Sequence, residues 1–117
     1  MNILLVDDER KFAMMLAKRL ALRGIDVDYV HNGEDALRYA AAQQYDIAIL
    51  DVKMPGLSGV ELKRELIRKA PGVSVVFLTG HGSKEDFEKG TAEGSLYLSK
   101  PLQIEQLVKT LHELGSG

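Results

Sequence analysis

Five short apolar runs punctuate this chain: Ile3 to Val6, Val27 to Val30, Ile47 to Leu50, Val73 to Leu78 and Leu96 to Leu98. They are rich in Val, Ile and Leu, the texture of strands covered on both faces. The stretches between them repeat at helical spacing instead. Phe12, Met15, Leu16, Arg19 and Leu20 mark a first helix before Gly24, which is suited to stop it. Asn32 is placed to cap a second, running through Ala36, Leu37 and Ala40 to about Gln43. Ser58 and Glu61 match a capping box at the head of a third, whose apolar residues Val60, Leu62, Leu66 and Ile67 precede Pro71. Ile104, Leu107, Val108 and Leu111 repeat at i, i+3, i+4, i+7 and give the last helix an inward stripe. Ser83 to Glu93 completes the alternation, with only Phe87 and Ala92 as apolar contacts and Gly90 inside it, so this helix is expected to be weak. Strict strand–helix alternation implies parallel strands joined by right-handed crossovers, hence an α/β three-layer sandwich of five strands and five helices.

At 117 residues the chain has the usual size of one domain. No linker, repeat or low-complexity segment divides it; residues 1–114 read as the domain and Gly115-Ser116-Gly117 as a flexible tail. A net charge of -2 offers no basic field for direct contact with nucleic acid. The absence of cysteine excludes disulfides, thiol catalysis and cysteine-ligated metal centres, and fits a reducing compartment. Met1-Asn2-Ile3-Leu4-Leu5-Val6 lacks a basic lead and meets Asp7 at once, so it reads as neither a signal peptide nor a membrane span, and cytoplasmic residence is expected.

Ligands of such sheets bind outside the carboxyl ends of the strands. There the chain places Asp7 and Asp8 after the first run, Asp51 after the third, Thr79 after the fourth and Lys100 after the fifth. Three carboxylates and an ammonium on one rim suit a divalent cation and a phosphoryl group, because the metal needs anionic oxygens and the phosphoryl oxygens need a cation. Singly each residue has an ordinary explanation: Asp7 and Asp8 as caps, Asp51 as a turn residue, Lys100 as a solvated lysine. Joint occurrence at strand ends favours the site. His31, His81 and His112 are scattered and read as solvated rather than as ligands.

Four segments, Val6-Asp7-Asp8-Glu9, Asp51-Val52-Lys53-Met54-Pro55-Gly56, Leu78-Thr79-Gly80 and Tyr97-Leu98-Ser99-Lys100-Pro101, resemble in this order the receiver domain of bacterial two-component response regulators, and the likeness spans essentially the whole chain. It implies a flavodoxin-like parallel sheet in the order 2-1-3-4-5 and a signalling switch activated by phosphorylation. By this resemblance Asp51 accepts a phosphoryl group from a sensor histidine kinase, Asp8 ligates Mg²⁺ directly, Asp7 holds it through water and Lys53 contributes its backbone carbonyl. Thr79 and Lys100 bind phosphoryl oxygens, Tyr97 turns inward on activation, and the Lys100–Pro101 bond is commonly cis. The implied module is not an enzyme beyond catalysing its own Mg²⁺-dependent phosphorylation and dephosphorylation. Its implied partners are a sensor histidine kinase or phosphotransfer protein, together with a downstream target or a second copy meeting the Ser83–Leu111 face; membrane and nucleic acid are not among them. Thr79-Gly80-His81-Gly82 resembles receivers of the nitrogen-regulator type, where His81 and the Lys53 side chain are placed to tune hydrolysis of the acyl phosphate. Between Gly94 and Tyr97 the chain is one residue shorter than the family's usual spacing, which asks for a tighter path into the fifth strand.

Other functions fit the residues less well. A phosphatase with an aspartyl nucleophile wants a second aspartate where Lys53 stands. A flavin-binding protein of this topology needs a Gly/Ser/Thr-rich loop after the first strand, and Asp7-Asp8-Glu9 repels its phosphate. A degenerate receiver-like interaction module, never phosphorylated, is the remaining alternative; here every expected acidic, hydroxyl and basic position is occupied.

Overall fold

The computed structural model describes residues 1–52, 54–80 and 96–116. Strands β1 (Ile3–Val6), β2 (Val27–Val30), β3 (Ile47–Asp51), β4 (Ser74–Thr79) and β5 (Leu96–Ser99) form one parallel sheet in the order β2-β1-β3-β4-β5. Among the described residues four helices accompany it: α1 (Arg10–Ala21), α2 (Gly33–Ala42), α3 (Gly59–Lys69) and α4 (Ile104–Ser116). The helix expected over Ser83 to Glu93 lies outside the described residues. So do Lys53, His81 and the shortened approach to Tyr97. The last helix continues to Ser116, two residues past the boundary expected at 114.

Residue parity along the strands sorts the core into two layers. Ile3, Leu5, Ile47, Ile49, Val76 and Leu78 pack with Leu16 and Leu20 of α1 and Leu107 and Leu111 of α4. Leu4, Val6, Ala48, Leu50, Val75 and Phe77 meet Ala36 of α2 and Leu62 and Leu66 of α3 on the other face. Every residue of β1 and β3 is buried, as continuous apolar runs in the middle of a parallel sheet must be. Asp28 is tolerated in β2 because that strand is an edge, and it accepts hydrogen bonds from Tyr45 Oη at 2.6 Å and Gln43 Nε2 at 3.0 Å.

Three strands extend one residue beyond the apolar runs, to Asp51, Thr79 and Ser99. The polar residues that end β3 and β4 are therefore held in register by the ladder, Asp51 against Leu78 and Thr79 against Ser99. Local chemistry fixes the helix starts behind them. Asn32 Oδ1 accepts from the Asp35 N–H at 2.8 Å, and Ser58 and Glu61 form a reciprocal capping box with both bonds at 3.2 Å. Gly59 opens α3 hard against β3: its N–H donates to the Val52 carbonyl at 3.0 Å, and a Cβ there would lie 2.4 Å from the Asp51 carbonyl oxygen. Only glycine lets α3 approach so closely.

Removing the box by Ser58→Ala should cost about 1 kcal/mol in urea denaturation, whereas Leu62→Ala, one turn inward and fully buried, should cost about 2 to 5 kcal/mol. Equal losses for the two variants would mean that α3 is held by its cap rather than by packing.

Candidate functional site

The chain winds outward from β1 to β2 and then crosses back to β3, so the winding direction reverses between β1 and β3, and a crevice opens at their carboxyl ends. Asp7 leaves β1 there fully buried, its N–H donating to the Val30 carbonyl at 3.1 Å and its Oδ1 accepting from the Glu9 N–H at 2.9 Å. Asp51 stands beside it at the end of β3, 6% exposed, and the more open Asp8 completes an acidic group whose oxygens lie within 4.8 Å of one another. Thr79 is buried at the end of β4, and its carbonyl accepts from the Lys100 N–H at 2.8 Å. The Lys100–Pro101 peptide is cis.

Lys100 closes the site from the β5 side. Its Nζ lies 2.7 Å from Glu9 Oε1, 3.0 Å from Asp7 Oδ2 and 3.7 Å from Asp51 Oδ2, with the centroid of the Phe12 ring at 4.5 Å. Tyr97, half-buried in β5, stacks on Phe77 with ring centroids 5.1 Å apart. The expected residues Asp7, Asp8, Asp51 and Lys100 are thus brought together, with Thr79 adjacent and Tyr97 one layer below.

Three contacts were not foreseen from sequence. Glu9 pairs with Lys100, Gly59 presses on the Asp51 backbone, and His31 is a rim residue rather than a solvated one, its Nδ1 3.1 Å from the Asp7 carbonyl oxygen. The first had a local signal: Glu is a poor helix cap, and it stands at the cap position of α1.

Charge crowding sets the chemistry. Burial first, then the Asp7 carboxylate, push the Asp51 carboxyl up to about 7; Lys100 pulls it down, and Asp8 raises it further. For Lys100, burial alone lowers the ammonium, but Glu9, Asp7 and Asp51 outweigh it and hold it above its ordinary value. Asp7 Oδ2 is sealed from solvent and faces Lys100 Nζ at 3.0 Å as an ion pair. A buried anionic oxygen in a group of three carboxylates is part of a donor set that fits a hard divalent cation such as Mg²⁺.

Residues 3–112 match the response regulator receiver domain, and the chain belongs to that family of two-component signalling modules. It is 39% identical over 108 residues to the uncharacterized transcriptional regulatory protein YkoG of Bacillus subtilis, covering 92% of this chain and 47% of that protein. To the two-component response regulator PhoP of Pseudomonas aeruginosa it is 36% identical over 115 residues, which cover 97% of this chain and 51% of PhoP. The chain therefore spans about half the length of these curated relatives. A response regulator from Burkholderia pseudomallei, solved with a phosphorylated aspartic acid, a calcium ion and citrate, superposes with a TM-score of 0.82 at 31% identity, over 92% of this chain and 64% of that one. Among the described residues no helix is long and apolar enough to cross a membrane.

The raised Asp51 carboxyl makes the metal-free fold pH-sensitive. Between the ordinary carboxyl value of 3.8 and about 7, the native state holds a proton that the unfolded chain releases, so this contribution to stability is complete below about 4 and lost as pH rises through 7. In chelator, the melting temperature of the wild type relative to Asp51→Asn should therefore fall from pH 5 to pH 8, and Mg²⁺ should restore it at pH 8. A constant difference across that range would contradict the crowding.

Proposed function

We propose that this domain is a phosphorylation-activated switch in which Asp51 takes a phosphoryl group from a phosphohistidine of a sensor kinase or phosphotransfer protein. The observation that carries this reading is the setting of Asp51, a buried carboxylate between two further carboxylates and one ammonium. Asp7, Asp8 and Asp51, with the Lys53 backbone carbonyl, would hold Mg²⁺, which when bound supplies positive charge against the phosphoryl oxygens. A carboxylate oxygen of Asp51 forms the new bond to phosphorus as the phosphorus–nitrogen bond breaks and the donor imidazole leaves. Lys100 favours the anionic form of Asp51 that this step needs, and it remains to pair with the oxygens of the product. The Thr79 hydroxyl lies at the neighbouring strand end, in reach of the same group once it moves inward. The phosphorylated aspartic acid reported for the Burkholderia relative supports the assignment.

An acyl phosphate adds roughly 1.5 to 2 negative charges and three strong acceptors where the resting site already crowds three carboxylates. Motion of Thr79 toward it opens space beside β4, and Tyr97, now stacked on Phe77, is the ring placed to follow. The Ser83–Leu111 face would then present the change to a downstream protein or to a second copy of the chain.

Acetyl phosphate with Mg²⁺, followed by intact mass, should add one phosphoryl group to the wild type and none to Asp51→Asn. Lys100→Ala should still bind Mg²⁺ but lose the conformational response, since the phosphoryl oxygens are left without their cation. An Asp51→Asn protein that accumulated acyl phosphate would overturn the assignment, and a wild type that remained unlabelled would favour an interaction module that is not phosphorylated.

A further inference from the structure

We propose that Glu9 is a positioning residue for this reaction, a carboxylate at the head of α1 that holds the Lys100 ammonium back from Asp51 in the resting domain and so opposes the phosphorylated state. The inference rests on the phosphoacceptor reading above and adds to it a residue that sets how readily the switch is thrown.

The distances order the competition for one cation. Lys100 Nζ is closest to Glu9 at 2.7 Å and next to Asp7 at 3.0 Å; Asp51 at 3.7 Å is beyond hydrogen-bond length. An ammonium has three N–H donors. Glu9 and Asp7 engage it first, and the Phe12 ring, also on α1, supports it at 4.5 Å, so the head group is drawn toward α1 rather than toward β3.

The conformation of Glu9 is consistent with that use. It occupies the N-cap position of α1 with extended φ and ψ of -79° and 93°, where Ser, Thr, Asp or Asn would turn a side chain back onto the helix, yet it makes no capping bond. Its carboxylate reaches instead across 91 positions of sequence to Lys100, while its backbone is pinned by the N–H bond to Asp7 Oδ1 at 2.9 Å. The Glu9 side chain is 63% exposed against 15% for Lys100, so the bond is a weak one at the rim, made by an arm that water can readily replace.

A phosphoryl group on Asp51 competes for the ammonium with more charge and better acceptors than the bare carboxylate. As Nζ moves toward it, the Glu9 contact lengthens. An interaction made in the resting state and given up in the phosphorylated one biases the equilibrium toward rest, and its removal shifts the population the other way. Reach as well as charge is required: Glu9→Gln removes the charge, and Glu9→Asp keeps the charge but withdraws it from Lys100.

Beryllofluoride, a phosphoryl mimic, titrated with Mg²⁺ into the full chain and followed by fluorine NMR, tests this. Glu9→Gln and Glu9→Asp should each bind about two- to fivefold more tightly than the wild type, the range expected of an exposed ion pair. In free Glu9→Gln protein the Lys100 Nζ resonance should already lie toward its beryllofluoride-bound position, a signature that loss of a merely structural contact would not produce. Tighter binding by Glu9→Gln with wild-type affinity in Glu9→Asp would reduce the effect to general charge repulsion and overturn the proposal. Unchanged affinity in both variants, alongside Asp51-dependent binding by the wild type, would overturn it while leaving Asp51 as phosphoacceptor. A wild type that bound no beryllofluoride, or that bound it equally after Asp51→Asn, would remove the phosphoacceptor reading and this proposal with it.

Discussion

Like charges at the mouth of β1 and β3 are the constraint on which the rest of this domain turns. Two unit negative charges about 5 Å apart repel by about 3 to 4 kcal/mol at an effective dielectric constant near 20, and here three carboxylates with oxygens within 4.8 Å of one another share one crevice. Such crowding persists only if the backbone that carries it cannot give way. β1 and β3 are central strands, buried throughout and paired residue by residue from Ile3 with Ile47 to Val6 with Leu50, so Asp7 and Asp51 emerge abreast with no freedom to splay. Gly59 tightens the arrangement from behind by admitting α3 to the Asp51 carbonyl. The apolar core thus serves the site directly, holding acidic groups closer than they would choose to stand.

Among the described residues one cation, Lys100, offsets the repulsion, and it is shared. Lys100 pairs with buried Asp7 at 3.0 Å, approaches Asp51 at 3.7 Å and lies nearest the exposed Glu9 at 2.7 Å, which places one charge among competing oxygens. A resting site built this way is sensitive to any change in the charge on Asp51. Pushing that carboxyl up to about 7 is the outward sign of the strain, which on the proposed reading a divalent cation would relieve. On that reading the metal would neutralise the acidic group, whereas the phosphoryl group would add charge and redirect Lys100. Proximity of Tyr97 and Phe77 to the same strand ends gives the redirection a packing element to act on.

Most of the fold was legible because its signals are local or periodic. Uninterrupted apolar runs give buried parallel strands, Asn32 and the Ser58–Glu61 pair announce helix starts, and Asp7, Asp8, Asp51, Thr79 and Lys100 fall at strand ends that the topology must bring to one rim. The four short motifs carried the strand order. What sequence did not reveal depends on distance across the fold. Glu9 and Lys100 are far apart in the chain, and nothing in either segment says that they meet. His31 looked solvated because its partner is a backbone carbonyl, which has no residue identity to read. Gly59 could have been taken for a helix-start glycine of no consequence, since the atom that forbids a Cβ belongs to another strand. The strand ends shifted by one residue for a related reason: Asp51 and Thr79 are polar, and it is the neighbouring strands, not their own propensity, that hold them in the ladder.

The most direct measurement of this crowding is a carbon-13 NMR titration of the Asp51 side-chain carboxyl in metal-free protein. It should titrate near 7, well above an ordinary aspartate, and saturating Mg²⁺ should drive the midpoint down by favouring the anion. A midpoint near 4 that did not respond to Mg²⁺ would mean that Asp51 is neither crowded by its neighbours nor part of a cation site, and would contradict the central role given to it.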